Sequence, residues 1–285
     1  MTAVQTGAGR GGDPVPAVRE DEATGRVAER FAELRATLGV PMVNLVWRHL
    51  ATDPEALDWT WATVRPLYES GALAAETVAL HGRMALPPLP AMPGAVLRAA
   101  GLGAADEAGI AAVLASYDRG NTMNLLAFST VLRRLEGGAP VAGTWSTLAA
   151  KPVAARLPRL LVAAEMEPAA GDLVLRLNAL GHDDTGPIVA SLYRHLAHWP
   201  PYLALAWALL APLDAQGLLR PAIAATRAAA AARGAVLVRG LAEPPDPGPA
   251  ARAFAQRALA TFRDHGIPRM VTIGRILRAA MPATA

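Results

Sequence analysis

Arg-His-Leu-Ala occurs twice in this chain, at Arg48–Ala51 and Arg194–Ala197, each time followed by a proline three residues on, Pro54 and Pro200. A neutral histidine is a serviceable base near pH 7. A protonated histidine or an arginine can hold a carboxylate through charge-assisted hydrogen bonds. The same residue types also have purely structural uses. Buried imidazoles bond backbone carbonyls, and arginines tie helix C-termini together. His195 and His198 form an H-x-x-H pair, a spacing that can hold a metal on a helix. Thr52 stands at the matching place after His49, and no neighbouring acid completes a ligand set, so no metal is expected. Asp183 and Asp184 either offer carboxylates to a site or cap a solvated turn before Thr185-Gly186-Pro187. No Ser-His-Asp order surrounds Ser191, so a nucleophile triad is not indicated.

The twin tetrapeptides belong to a longer repeat. At an offset of 146 residues Pro41 meets Pro187, Trp61 meets Trp207, Pro66 meets Pro212 and Gly71 meets Gly217. Near the other end, an offset of 145 brings Leu114–Tyr117 onto Leu259–Phe262. Three prolines and a tryptophan in register point to a duplicated unit. Two copies of domain size are expected to pack as a pseudo-dimer about an approximate two-fold axis. His49 and His195 would then approach one cavity from opposite sides. The units are read as residues 20–140 and 165–285, with a disordered tail at 1–19 and a linker at 141–164.

Composition narrows the classes. Of 285 residues 53% are hydrophobic, the net charge is +3, and Lys151 is the only lysine. Without a basic cluster interleaved with aromatics, nucleic acid is not an expected partner. The absence of cysteine excludes disulfides, thiolate nucleophiles and cysteine-based zinc sites. The longest apolar run, residues 202–213, is too short to span a bilayer. The expectation is a soluble cytoplasmic protein.

Helices must position the repeated residues. Val27, Phe31, Leu34 and Leu38 form one stripe of a 3.6-residue period, stopped by Gly39 and Pro41. Further helices are expected over about 42–52 and 54–69. Two more are expected within 104–138, the first ending at Gly120. The second unit repeats this from Pro187. No alternating strand pattern occurs, so the fold class is all-α. Trp61 and Trp207 read as core residues of equivalent helices. Asn44 and Asn124 are helical polar residues facing either a pocket or solvent.

The residues also resemble a known family. "ATGRVAERFAELRATLGVPMV", then Arg48, Leu50-Ala51-Thr52 and Pro54, "YDRGN" at 117–121 and "GPIVASLYRHLAHWP" are similar to the group I, or DehI-type, 2-haloacid dehalogenases. The resemblance covers most of both repeats. It implies an all-α pseudo-dimer that removes halide from short 2-halocarboxylic acids. An aspartate there activates a water, with no covalent ester, no metal and no organic cofactor. It also implies a homodimer. The family's aspartate falls on Leu192, and two family aromatics fall on Met42 and Leu45. Asn121 and Ser191 carry over as pocket-lining polar groups. A leucine cannot accept a proton, so the mechanism needs another base. His195 is one turn beyond Leu192, and His49 is four residues beyond Leu45; both share the pocket-facing side. They are the candidate replacement bases. The competing expectation is a non-catalytic protein that binds a small carboxylic acid or an apolar ligand in the same place.

Overall fold

A computed structural model describes residues 15–149, 152–153, 155–182 and 189–282. Among them are twelve α-helices and no strand. The first half comprises α1 (Gly25–Leu38), α2 (Leu45–Leu50), α3 (Pro54–Glu69), α4 (Ala72–Arg83), α5 (Gly94–Ala99) and α6 (Ala104–Leu135). The second comprises α7 (Pro168–Ala179), α8 (Ser191–Leu196), α9 (Pro200–Ala215), α10 (Leu219–Leu237), α11 (Pro249–Thr261) and α12 (Ile267–Ala280). α2 and α8 are six residues each, and α3 and α9 are sixteen each. The long α6 corresponds to α11 and α12 joined by a π-helical turn, Phe262–Gly266.

Local chemistry explains the boundaries. The Phe31, Leu34 and Leu38 stripe of α1 is buried, and Gly39 closes the helix at φ 64°, donating its N–H to the Arg35 carbonyl. That left-handed geometry favours glycine. At the start of α3 the Asp53 carboxylate accepts from the Ala56 amide, and Pro54 takes the first turn, where its missing N–H costs nothing. Two expectations need correction. The helix expected over 42–52 is only Leu45–Leu50, because residues 40–44 form an extended entry. The helix expected to end at Gly120 runs through it. A glycine inside a helix costs only about 1 kcal/mol, and Asn44 occupies the space its missing Cβ leaves.

Two hydrophobic clusters form the core, and neither respects the halves of the sequence. The first joins α1–α4 and the C-terminal part of α6 (Met123 to Leu132) to Ala255 and Leu259 of α11. The second joins α7–α9 and α12 to Leu97 of α5 and to Ile110, Val113 and Leu114 at the start of α6. Each half of the sequence therefore lends an arm to the other: α11 packs on α2 and α3, and α6 packs on α8. Trp199 Nε1 donates to Asp106 across this boundary, and Arg252 lies over the Trp59 ring across its counterpart. The apolar run at 202–213 lies within α9, and among the described residues no single helix is long and apolar enough to cross a membrane.

Candidate functional site

A cavity of about 310 Å³ opens between α2 and α8. Met42, Leu45 and Arg48 line it from the first half, and Ser191, Arg194 and His195 from the second. Tyr117 of α6 completes the lining together with two non-helical segments, residues 19–21 and residues 157–160 with Val162. Residues 15–19, expected within a disordered tail, are ordered against α2: Val18 donates its amide to the Arg48 carbonyl at 2.9 Å. Residues 1–14 lie outside the described structure.

The two arginines are nearly inaccessible, at 6% for Arg48 and 4% for Arg194. Each is the fourth residue of its short helix. Arg194 Nε donates to the Leu161 carbonyl at 2.8 Å. At the mouth, Glu20 accepts from the Val43 amide and from Arg35, while Asp21 is paired with Arg19. The rim carboxylates are thus already engaged.

Tyr117 and His195 form a buried pair. The phenol O–H donates to His195 Nδ1 at 2.7 Å. The Pro158 carbonyl lies near the imidazole and favours its charged form. Burial pushes the imidazole down to about 4, and His198 and the neighbouring arginines add to that fall against the Pro158 carbonyl. His195 is therefore neutral at pH 7. Burial pushes the Tyr117 phenol up, although Arg48 and Arg194 pull the other way. The Ser191 hydroxyl lies close enough to favour the phenolate, yet its geometry completes no hydrogen bond.

The other expected site residues fall in different places. His49 does not line the cavity. Its Nδ1 faces the Pro16 carbonyl at 2.7 Å, and its ring packs against Phe254 and Phe262. The extended residues 15–18 cover the face on which His49 sits, and so exclude it from the site. His198 Nε2 bonds the Arg159 carbonyl while His195 Nδ1 bonds the Tyr117 hydroxyl, so the H-x-x-H pair serves two separate partners. Among the described residues no group of three His, Cys, Asp or Glu is placed to hold a metal. Asp183 and Asp184 lie outside the described residues. Leu192 is fully buried and faces a second space of about 50 Å³ that adjoins the first. Asn121 lines that second space and accepts from Asn44 Nδ2 at 3.2 Å. Asn124 is a core residue, accepting from Trp47 Nε1 and the Tyr68 hydroxyl. Trp61 packs edge-on to Trp47 in the first cluster, and Trp207 packs partly exposed against the second.

Tyr117 was not singled out by the repeated tetrapeptides. The signal was nonetheless present, because Tyr117 and Asn121 are four residues apart on one helix and so share a face.

No family model matches the chain, and no curated protein matches it in sequence. Solved structures do match. A D-2-haloacid dehalogenase mutant in complex with D-2-CPA superposes with a TM-score of 0.76 at 18% identity, over 93% of this chain and 94% of that one. A D-2-haloacid dehalogenase with L-LA gives 0.74 at 18% identity, over 93% and 95%. A further mutant of the same kind of enzyme gives 0.70 at 17% identity, over 94% and 96%. The chain thus has the helical haloacid dehalogenase fold.

Proposed function

We propose that this protein binds a small carboxylic acid of the 2-halocarboxylate kind between α2 and α8, and that it has given up aspartate-driven hydrolysis. One observation carries the reading. Two buried guanidiniums, Arg48 and Arg194, come from matching positions of two short helices and line a single cavity. The place where the resemblance puts the base holds a buried leucine, Leu192. A carboxylate entering the cavity would gain charge-assisted bonds from the arginines and would leave its apolar end against Met42 and Leu45.

A second reading keeps catalysis. In it His195 takes the Tyr117 proton, the phenolate deprotonates a water, and that water displaces halide at Cα. The short Tyr117–His195 bond favours it. The energetics weigh against it. The proton would move from a phenol held above its usual value to an imidazole held at about 4. Burial sets both groups against the transfer, since it raises the phenol and lowers the imidazole.

The test combines binding with turnover. Both enantiomers of 2-chloropropionate and of lactate are titrated into the full chain, with melting temperature and free halide as readouts. The expected outcome is a saturable rise in melting temperature, with halide at the uncatalysed rate. Arg48→Met and Arg194→Met should each weaken binding about tenfold or more. Halide release that vanishes in His195→Gln would establish the second reading instead. No acid-dependent stabilisation at all would defeat the first.

A further inference from the structure

The smaller space beside the main cavity, about 50 Å³, is walled by four helices. Asn44 stands there at the start of α2, Asn121 on α6, Ser191 on α8 and Arg269 on α12. The π-helical turn Phe262–Gly266 adds Phe262 and Gly266 to the lining. Such turns are rare and are frequent at functional sites. Among the described residues no carboxylate lines the space. A single water needs only about 10–15 Å³ of such room, so this space takes a larger occupant.

Arg269 is its charged member, and it is 3% exposed. Nη1 donates to the Asn178 carbonyl, and Nη2 donates to Asn178 Oδ1 at 3.2 Å. That oxygen already accepts from the Ala190 amide at 3.0 Å. Arg269 Nε is buried with no hydrogen-bond partner. Burial pulls the guanidinium down, but arginine keeps its proton in proteins. A buried cation that cannot neutralise itself calls for a counter-charge. The neighbours present donors to such a charge. The Ser191 hydroxyl is buried and completes no hydrogen bond. Asn121 spends its side-chain oxygen on Asn44, which leaves its Nδ2 as a donor. The unbonded Asn44 Oδ1 is turned to Gly120, where it lies 2.9 Å from the place a Cβ would take. The Tyr193 hydroxyl, buried and unbonded, lies close enough to feel the Arg269 charge.

We propose that this space is a site for a small monovalent anion of the chloride or bromide kind, held by Arg269 Nε and the Ser191 hydroxyl with Asn121 Nδ2 beside them. A halide accepts from several donors at once and donates to none, which matches a lining whose unspent polar atoms are donors. A water would occupy the donors but leave the guanidinium uncompensated. The ion would sit where α12 of the second half meets α2 and α6 of the first, so its binding would tie the halves together. The inference is independent of what the larger cavity holds.

Thermal melts of the full chain in sodium chloride or sodium bromide, against sodium gluconate at equal ionic strength, test this. Gluconate is too large for the space. The halides should give a saturable rise in melting temperature, roughly 4 °C at about thirty times the dissociation constant. Arg269→Met should abolish the halide-dependent rise. Ser191→Ala keeps the space and removes one donor, and it should weaken halide binding about threefold or more; it decides the matter if Arg269→Met does not fold. Crystals soaked in bromide should show anomalous density beside Arg269 Nε. A halide-dependent rise of the same size and midpoint in the variants would place the ion elsewhere on the molecule and overturn the inference. No saturable difference between halide and gluconate would mean that water alone fills the space, and would overturn it too. Titrations of 2-chloropropionate and lactate in gluconate report on the larger cavity separately, so either reading can fail while the other stands.

Discussion

Each of the twin histidines lies against a backbone carbonyl. His49 Nδ1 reaches the Pro16 carbonyl at 2.7 Å and so pins the segment before α1, while the Pro158 carbonyl lies beside His195 in the segment before α8. Only His195 also reaches the cavity. Helical spacing made the equivalence of the two histidines legible, but it placed both on the pocket side and left Arg48 and Arg194 about 100° away. The non-helical segments over residues 15–21 and 155–162 have no periodicity to read, and they decide which face of α2 and α8 stays open. Burial also has a consequence for stability. His195 and His81 are each held at about 4, well below the ordinary 6.5. In His81 burial dominates, and Arg275 and Arg278 reinforce it against Asp118. The unfolded chain takes up these protons first, so the histidine contribution is complete above about pH 6.5 and is lost as pH falls towards 4. Thermal melts between pH 7.5 and 4.5 should show a falling melting temperature across that window. His195→Gln and His81→Gln should each flatten the slope. A slope unchanged in both variants would mean other groups set it.

At the scale of elements, the pairing of α6 with α10 is among the most extensive helix contacts in the molecule, and one glycine permits it. A Cβ built on Gly234 would lie 2.9 Å from the Ser129 carbonyl carbon and 3.0 Å from the Thr130 nitrogen. Both are backbone atoms of α6, and backbone in the middle of a long helix cannot step aside. Gly234→Ala should therefore destabilise the protein by about 1–3 kcal/mol through overpacking. An exposed helix would instead gain about 1 kcal/mol from the same change. Chemical denaturation checks the sign, and a stabilised variant would show that the helices can separate freely. Helix propensity in the alanine-rich stretch around Gly234 says nothing about what crosses it. The same blindness split α6 at Gly120 and ended a helix at Gly266, where α11 continues through the π-turn at Phe262–Gly266 into α12. Stripes and caps, by contrast, were legible in α1 and α3, because those signals are local to the element they shape.

For the whole molecule, interleaving matters more than duplication. The sequence reads as two halves, yet α6 contributes to both hydrophobic clusters, and α11 of the second half packs in the first. Asp118 sits near the middle of α6 and is 2% exposed. It receives Arg275 and Arg278 from α12, and His81 of α4 lies 3.3 Å away. One carboxylate thus joins elements of both halves. Asp118→Asn removes the charge and leaves two arginines facing a neutral amide. Breaking a buried pair from one side costs about 3–5 kcal/mol, and the partial exposure of Arg275 and Arg278 places this case at the lower end, about 3 kcal/mol. For a chain of this size that lowers the melting temperature by roughly 6–12 °C. The form of the transition is as informative as its midpoint. A carboxylate serving only one half would, when neutralised, unfold that half first and give two calorimetric steps. Since α6 belongs to both cores, Asp118→Asn should melt in a single step at lower temperature, with calorimetric and van't Hoff enthalpies still equal; two resolved steps would mean that the halves stand independently in spite of their exchanged arms.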